Sequence, residues 1–369
     1  MVNRRSFLLA SAVTAATAQT GGNTAGTGMI GVGNRGAYLL EAAMAQPRAR
    51  ILALCDIKPD RLDKAATAAN RDNPATYSDW RKILDRKDID AVFIATPPDL
   101  HAEMAVAALR AGKNVYCEKP VGITPAQVRA VLEAAKASRK VFVPGQQLRS
   151  IKEYREAVSK IRDGIIGDVL MVKAQRHATA DLAHDGTSGD WYFDVKRSGG
   201  YLIEQSVHNL DLCNWAIGAL PLRASGFGSI ALYKDDPPGR SIFDNGAINY
   251  EYPGGVTMSF TQNVFHPRLL PAEGQYVYIY GSKRGKPDGR PHALQTLRER
   301  TACRHRRKGA ARRSPRPHRR VLQRRAPRHS AARRHHYRRQ RRPHRHPRPP
   351  GDDQPHGGGV EFHGGSALR

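Results

Sequence analysis

The chain has 369 residues, long enough for two domains, and a formal net charge of +27. The charge is uneven: residues 284–369 hold 24 Arg and 2 Lys against 5 acidic residues, whereas the first 283 residues hold 34 basic and 28 acidic ones. Composition therefore excludes nucleic-acid binding by the first 283 residues, which are only mildly basic. Only the tail is basic enough for a nucleic-acid-binding function. The four cysteines form no C-x-x-C pair, so neither a zinc ribbon, a disulfide framework nor another metal site is predicted.

The N-terminal residues have the features of a twin-arginine export signal. Arg4 and Arg5 precede a short apolar run that ends in the Ala-Thr-Ala of residues 16–18, an A-x-A cleavage pattern. We interpret residues 1–26 as signal and linker, which predicts a periplasmic protein, or a cytoplasmic one if the signal is not functional. A disordered start with chance arginines is the alternative. The run is too short to cross a bilayer, so no membrane span is predicted.

Residues 27–147 alternate apolar strands with helical segments. The strands are predicted at 27–32, 50–55, 90–96, 114–120 and 140–145, and the helices at 37–46, 59–70, 100–112 and 124–138. The last helix has Thr124 as its N-cap and Pro125 at its first position. Such alternation is typical of a parallel sheet covered by helices on both faces, which predicts an α/β Rossmann domain.

The pattern changes in residues 148–282. Helices are predicted at 152–164 and 201–218, and strands at 169–178, 224–233, 246–252, 255–263 and 275–282. A run of strands after this pair of helices predicts an α+β domain with a mostly antiparallel, open sheet. We expect this domain to be truncated, and we expect a homo-oligomer if it were complete.

A glycine-rich loop follows the first strand and opens the first helix. Its G-x-G-x-x-G pattern, followed 20 residues later by Asp56 at the end of the second strand, predicts a dinucleotide site. The helix N-terminus would face the pyrophosphate, and Asp56 would accept hydrogen bonds from the ribose hydroxyls while repelling a 2′-phosphate. NAD is therefore favoured over NADP. The predicted loop residues are Gly31, Gly33, Asn34, Arg35 and Gly36.

Two further motifs end strands of the same sheet. Thr96 and Pro97 begin a rigid turn, and the triplet Glu118-Lys119-Pro120 follows the next strand. The carboxyl ends of parallel strands share one edge, where ligands of Rossmann domains bind. Lys119 is therefore expected to point into the cleft, with a surface lysine as the alternative.

The order and spacing of these motifs, with His101 after the Thr-Pro-Pro turn, resemble the Gfo/Idh/MocA oxidoreductases. This family includes glucose–fructose oxidoreductase and inositol dehydrogenase, and the resemblance covers residues 27–282. It implies that Lys119 orients a substrate hydroxyl beside the nicotinamide. It also implies cofactor contacts from Thr96, Pro97, His101 and Glu118.

The predicted helix at 201–218 is similar to the family's D-x-G-x-H-x-x-D motif. Glu204, His208 and Asp211 occupy its three polar positions, after a glycine pair at 199–200. A histidine one helical turn from a carboxylate suits a general base. Glu204 stands where Asp is commoner, and Ser206 replaces a glycine. The alternative for His208 is a histidine satisfied within the core.

The resemblance implies an NAD-dependent dehydrogenase that acts on a CH–OH group of a sugar, cyclitol or related polyol. His208 would take the hydroxyl proton and Lys119 would polarise the oxygen. Arg149, Trp191 and Tyr192 are candidate substrate contacts, although the two aromatic residues could equally belong to the core or an interface. An NAD-dependent glycosidase on the same fold is the alternative enzyme. A nucleic-acid-binding protein that acts through its tail is the alternative of another class; nucleic acid is not an expected partner.

The tail, residues 283–369, cannot build a core and is expected to be disordered. Only seven of the 86 residues from 284 onward are Leu, Val, Ile or Phe. The Arg-to-Lys ratio shifts from 20:14 before residue 284 to 24:2 after it. Because Arg, Pro, His and Gly codons dominate a GC-rich gene translated out of phase, we interpret the tail as a frameshift product. The alternatives are an evolved nucleic-acid arm and a His-rich metal tract.

Overall fold

The computed structural model describes residues 24–179, 190–267 and 274–283. The predicted export signal and almost all of the predicted frameshifted tail lie outside these described residues.

The first domain is built on a six-stranded parallel sheet with the order β3-β2-β1-β4-β5-β6. The strand order reverses between β1 and β4, which creates the crevice where ligands of such sheets bind. This strand order confirms the predicted parallel sheet. The short edge strand β3 was not predicted. The strands are β1 Ala25–Ile30, β2 Ala49–Cys55, β3 Ala75–Tyr77, β4 Ala91–Ile94, β5 Asn114–Glu118 and β6 Phe142–Gly145.

Helices cover both faces of this sheet and bury two apolar clusters. One cluster gathers Met29, Leu40 and Ile51, and the other gathers Ile94, Ala105 and further residues of the opposite face. Cys55 and Cys117 are buried free thiols, as their positions at the ends of apolar strands predict. The helices are α1 Asn34–Met44, α2 Pro59–Ala68, α3 Arg81–Leu84, α4 His101–Arg110 and α5 Pro125–Ala137.

The second domain contains a five-stranded sheet with the order β11-β7-β10-β9-β8. Three of its four neighbouring pairs are antiparallel, and the remaining pair, β7 with β10, is parallel. The mostly antiparallel sheet predicted for this region is confirmed. Its strands are β7 Val169–His177, β8 Arg223–Ser229, β9 Asn245–Glu251, β10 Thr257–Asn263 and β11 Gly274–Gly281.

Two long helices pack on one face of the second sheet. Helix α6, Lys152–Arg162, and helix α8, Val207–Ile217, share a buried cluster with Val172, Ala174 and Phe260 of the sheet. The short helix α7 spans Val195–Ser198. The continuous helix predicted at 201–218 is instead a π-helical turn, Leu202–Ser206, that runs into α8.

The strand predicted at 224–233 ends earlier, at Ser229. The cause is Asp244, a fully buried residue whose carboxylate accepts hydrogen bonds from the backbone amides of Ala231, Leu232 and Tyr233 at 2.8–3.0 Å. These amides turn towards the carboxylate and leave the sheet. In the part of the chain that the structure describes, no helix is both long and apolar enough to cross a membrane.

The predicted N-cap at Thr124 is confirmed and is a complete capping box. The Thr124 hydroxyl accepts from the Gln127 amide, while the Gln127 side chain accepts from the Thr124 amide. Thr124→Ala should lower the free energy of unfolding by about 1 kcal/mol, because it leaves a helix N–H without its acceptor. Chemical denaturation of both variants measures this. Thr67→Ala is the matched control, because the exposed Thr67 hydroxyl donates only to the Asp63 carbonyl oxygen. An equal loss of unfolding free energy in both variants would contradict a capping effect.

Candidate active site

The glycine-rich loop has the close backbone packing that its sequence predicts. Gly31 has a φ of +83°, and a Cβ atom there would lie 2.7 Å from the Ala95 carbonyl oxygen. A Cβ on Gly36 would lie 2.0 Å from the Gly31 oxygen. Only glycine fits these two positions, so the loop turns tightly and α1 starts immediately after Gly33. The first amides of α1 form a site suited to a phosphate group.

Asp56 lies beside this loop at the end of β2. One carboxylate oxygen accepts a hydrogen bond from the Val32 amide at 2.9 Å, and the other accepts from the Lys58 amide at 2.9 Å. The carboxylate is therefore held in a fixed position by two backbone groups. The Arg61 guanidinium lies over Gly33, 2.8 Å from where a Cβ would stand, so a cation also borders the predicted ribose site.

Arg35 and Glu118 form an ion pair at the carboxyl edge of the sheet. The Arg35 Nε donates to Glu118 Oε1 at 2.6 Å, and the Tyr116 hydroxyl donates to the same oxygen at 3.0 Å. Burial and the adjacent Glu118 carboxylate raise the pKa of Tyr116 to about 12. Glu118 is buried, so its predicted cofactor contact would be made through Arg35, which is about one-third exposed.

His101 is buried beneath the cleft. Its Nδ1 lies 2.7 Å from the Pro120 carbonyl oxygen, and its Nε2 lies 2.7 Å from the Thr96 carbonyl oxygen. Burial lowers the pKa of His101, and a neutral imidazole has one N–H, which it can donate to one of these two oxygens. The ring joins the Thr96-Pro97 turn to the Lys119-Pro120 segment. This geometry favours a structural role for His101, in which the ring holds both loops in place. A direct contact between His101 and the cofactor stays a prediction.

Lys119 and Glu204 join the two domains at the cleft. The Lys119 Nζ donates to the Glu204 carboxylate and to the Glu204 carbonyl oxygen, both at 2.6 Å. Both side chains are largely buried, at 14% and 10% exposure. Lys119 therefore points into the cleft, as predicted. The surface-lysine alternative is wrong.

The π-helical turn explains why a Glu204 carbonyl is available to Lys119. A π turn widens the helix and disrupts the regular i→i+4 bonding, and such turns are frequent at functional sites. The turn is tied to the sheet by the buried Ser206 hydroxyl, which donates to Gln262 Oε1 at 2.6 Å. Ser206 stands where the D-x-G-x-H-x-x-D motif has glycine, and this hydrogen bond gives Ser206 a structural role.

His208 follows one turn after Glu204 and is 7% exposed. Burial and the positive charges of Lys119, Arg176 and Arg35 lower the pKa of His208 to about 3. The ring is therefore neutral at physiological pH. Its Nδ1 and the Glu204 Oε2 are buried without a hydrogen-bond partner among the described residues. A substrate hydroxyl would give such atoms a partner.

Asp211 pairs with a residue outside this cluster. Its two carboxylate oxygens accept hydrogen bonds from Arg149 Nε and Nη2, at 2.7 and 2.8 Å. The Arg149 guanidinium also stacks over the Trp215 ring, at 4.9 Å from its centroid. These contacts join the segment after β6 to α8. They favour a positioning role for Asp211 and Arg149, and the predicted catalytic and substrate roles of these residues stay predictions.

Trp191 and Tyr192 belong to a group of packed aromatic rings. Tyr192 is 1% exposed and makes edge contacts with Trp191, Phe193 and Tyr201. A buried ring has no free face for a sugar. The geometry thus favours the core alternative for Tyr192, while the role of Trp191 in substrate binding stays a prediction.

Arg176, near the end of β7, is a site residue that none of the sequence motifs indicated. Its Nη2 donates to Gln205 Oε1 at 2.5 Å, next to the Glu204 and His208 segment. The available signal was the period-2 pattern of the strand, which puts residue 176 on the same face as the buried Val172 and Ala174. An arginine on the core face of a strand indicates a polar site.

The residues of the first domain fit a bound dinucleotide. The glycine loop gives close access to the first amides of α1, Asp56 is fixed beside it, and Arg35 and Lys119 line the same edge of the sheet. No group of three or more His, Cys, Asp or Glu side chains suited to a metal occurs in the ranges that the structure describes.

Comparison with known proteins places this architecture in one family. The sequence model described as "Oxidoreductase family, NAD-binding Rossmann fold" matches residues 25–146, and the GFO/IDH/MocA C-terminal domain matches residues 154–285. The chain belongs to the GFO/IDH/MocA oxidoreductase family. Its first domain is the NAD-binding Rossmann fold of that family.

Individual relatives cover parts of the chain. A glycosyl hydrolase family 109 protein of Saccharopolyspora erythraea is 33% identical over 178 residues, which are 46% of this chain and 39% of the relative. An inositol 2-dehydrogenase of Salmonella typhimurium is 31% identical over 196 residues, 52% of this chain and 54% of the relative. The crystal structure of an oxidoreductase domain protein from Kribbella flavida is 27% identical, with a TM-score of 0.64 over 71% of this chain and 72% of that one. The chain thus spans about two fifths to about half of these curated relatives.

Asp56 should set the preference between NAD and NADP. Asp56→Asn keeps most of the side-chain volume but removes the charge that repels a 2′-phosphate and binds ribose hydroxyls. We expect the affinity for NAD to fall by about tenfold, the value of one charge-assisted hydrogen bond. The ratio of NAD affinity to NADP affinity should fall as well. Calorimetric titration with both dinucleotides measures this. Arg61→Gln is the control and should weaken NADP more than NAD; unchanged NAD affinity in Asp56→Asn would contradict the assignment.

Proposed function

We propose that the protein is an NAD-dependent oxidoreductase that acts on a CH–OH group of a sugar, cyclitol or related polyol. The observation that carries this proposal is the meeting of Lys119, Glu204 and His208 at the carboxyl edge of the NAD-binding sheet. The 31% identity to an inositol 2-dehydrogenase supports the same reaction class. Bound NAD would supply the hydride acceptor or donor.

Each of the three side chains has a distinct task in this proposal. Lys119 is a cation with its ammonium group in the cleft, so it can donate a hydrogen bond to the substrate oxygen and stabilise negative charge that develops there. His208 is neutral and can accept the hydroxyl proton. Glu204 holds Lys119 by a bond to its carboxylate and a bond to its carbonyl, which fixes the ammonium position before substrate binds.

Lys119→Met and His208→Asn should each lower kcat by about 10²- to 10⁴-fold while NAD affinity stays nearly unchanged. The reason is that both side chains act on the substrate oxygen, whereas the glycine loop and Asp56 hold the dinucleotide. Steady-state NADH formation and dinucleotide titration measure the two quantities. Lys136→Met is the matched control, because Lys136 is exposed on α5. Full turnover in His208→Asn would require another base.

The pH dependence should reflect the low pKa of His208. Burial and the neighbouring cations hold its pKa at about 3, so the ring is unprotonated at any pH well above that value. We expect kcat/KM to show no acid limb from His208 near pH 6.5, where an exposed histidine titrates. Rates measured from pH 4 to 9 test this. A limb with a midpoint between pH 6 and 7 that disappears in His208→Asn would contradict the neutral buried ring.

An NAD-dependent glycosidase is the second candidate function. The observation that favours it is the 33% identity to a glycosyl hydrolase family 109 protein. Release of p-nitrophenol from aryl glycosides by purified protein, without net NADH formation, would support this function. NADH formation from free sugars or cyclitols without p-nitrophenol release would support the dehydrogenase.

We further propose export to the periplasm through the twin-arginine pair, and a frameshifted tail. Arg4 and Arg5 before an apolar run support the first, and the match to the family's C-terminal domain, which ends at residue 285, supports the second. Periplasmic fractionation of the Arg4→Lys, Arg5→Lys double variant tests export. Resequencing of codons 280–290, with peptide mass spectrometry of the tail, tests the reading frame.

A further inference from the structure

Arg176 lies on the face of β7 that covers the candidate active site. Its neighbours on this face are Val172 and Ala174, which pack with α8 in the second-domain core. Because side chains alternate along a strand, the Arg176 side chain extends from this face at its end nearest the cleft, where Nη2 reaches Gln205. Its positive charge also acts on His208.

Two of the three guanidinium nitrogens of Arg176 have no acceptor among the residues that the structure describes. Nε and Nη1 are buried and without a hydrogen-bond partner among the described residues. Buried donors of a charged group are costly when they remain unpaired, and native proteins seldom leave them so. An arginine that is held by one nitrogen and keeps two others free is prepared to bind an acceptor from outside the chain.

The charges around His208 do not balance. Three cations act on it, and two of them have a carboxylate partner: Lys119 has Glu204, and Arg35 has Glu118. Arg176 has no carboxylate within ion-pair distance in the part of the chain that the structure describes. Among the described residues, Arg176 is therefore the one cation of these three whose charge no carboxylate compensates.

We propose that Arg176 binds a negatively charged group of the substrate, so that the enzyme prefers a sugar or cyclitol bearing a carboxylate or phosphate over the neutral compound. This inference rests on the proposed function and narrows its substrate class. Arginine suits the task because its planar guanidinium donates several hydrogen bonds to one anionic group and keeps its charge at every relevant pH. A neutral polyol would leave this charge uncompensated.

The test is a binding comparison with matched sugars. The affinities of the full chain for D-glucuronate, D-glucose 6-phosphate and D-glucose are measured by calorimetry, with and without NAD. These sugars differ at one carbon, so their comparison isolates the anionic group and separates carboxylate from phosphate. We expect one of the two anions to bind about 10- to 100-fold more tightly than glucose, the range for one charge-assisted hydrogen bond.

Two variants show whether Arg176 causes the preference. Arg176→Gln should reduce the ratio of anion affinity to glucose affinity to about one. Lys173→Gln is the matched control, since it removes one charge from the exposed, opposite face of the same strand, and it should keep the wild-type ratio. A wild-type protein that binds neither anion more tightly than glucose, or an Arg176→Gln protein that keeps the preference, would overturn the inference.

NAD titration of the wild-type chain separates this inference from the function on which it rests. A chain that binds NAD but does not favour an anionic sugar contradicts the role of Arg176 alone. A chain that binds no NAD contradicts the proposed oxidoreductase, and the sugar comparison without NAD then still decides whether Arg176 binds an anion.

Discussion

The candidate active site depends on the double hydrogen bond from Lys119 to Glu204. Lys119 follows the fifth strand of the NAD-binding sheet, and Glu204 belongs to the second domain, so the ammonium group brings the two halves of the cleft together. A largely buried ion pair is a weak source of stability, because removing two charges from water offsets most of their attraction. Its value is geometric. The pair fixes a cation beside the position where NAD and a substrate hydroxyl would meet.

Both partners of this pair are held by unusual local structure. On one side, His101 contacts the carbonyl oxygens of Thr96 and Pro120 and so joins the two turns that flank Lys119. On the other side, the π-helical turn frees the Glu204 carbonyl, and Ser206 ties that turn to the second sheet. These supports lie outside the Lys119–Glu204 pair itself. They determine how firmly Lys119 is positioned.

The sequence predicted the architecture well because its signals were local. Strand and helix periodicity indicated both sheets, and the spacing from the glycine loop to Asp56 indicated the dinucleotide site. What it could not predict were contacts between residues distant in sequence. The pairing of Arg149 with Asp211 spans 62 positions, and the shortening of β8 depends on Asp244. The π turn was also missed, since its residues suit an ordinary α-helix.

Glu204 illustrates how one methylene group affects the site. An aspartate there would hold its carboxylate back by about 1.5 Å, one carbon–carbon bond. Its oxygen would then retreat from Lys119, which would keep the backbone carbonyl as its nearer acceptor. The longer Glu204 neutralises Lys119 directly, so this pair adds no net charge to the cleft. Arg35 is likewise neutralised by Glu118. Among the described residues, Arg176 is therefore the cation near His208 that has no carboxylate partner. In our proposal, this unpaired charge is what makes the site favour a substrate with an anionic group.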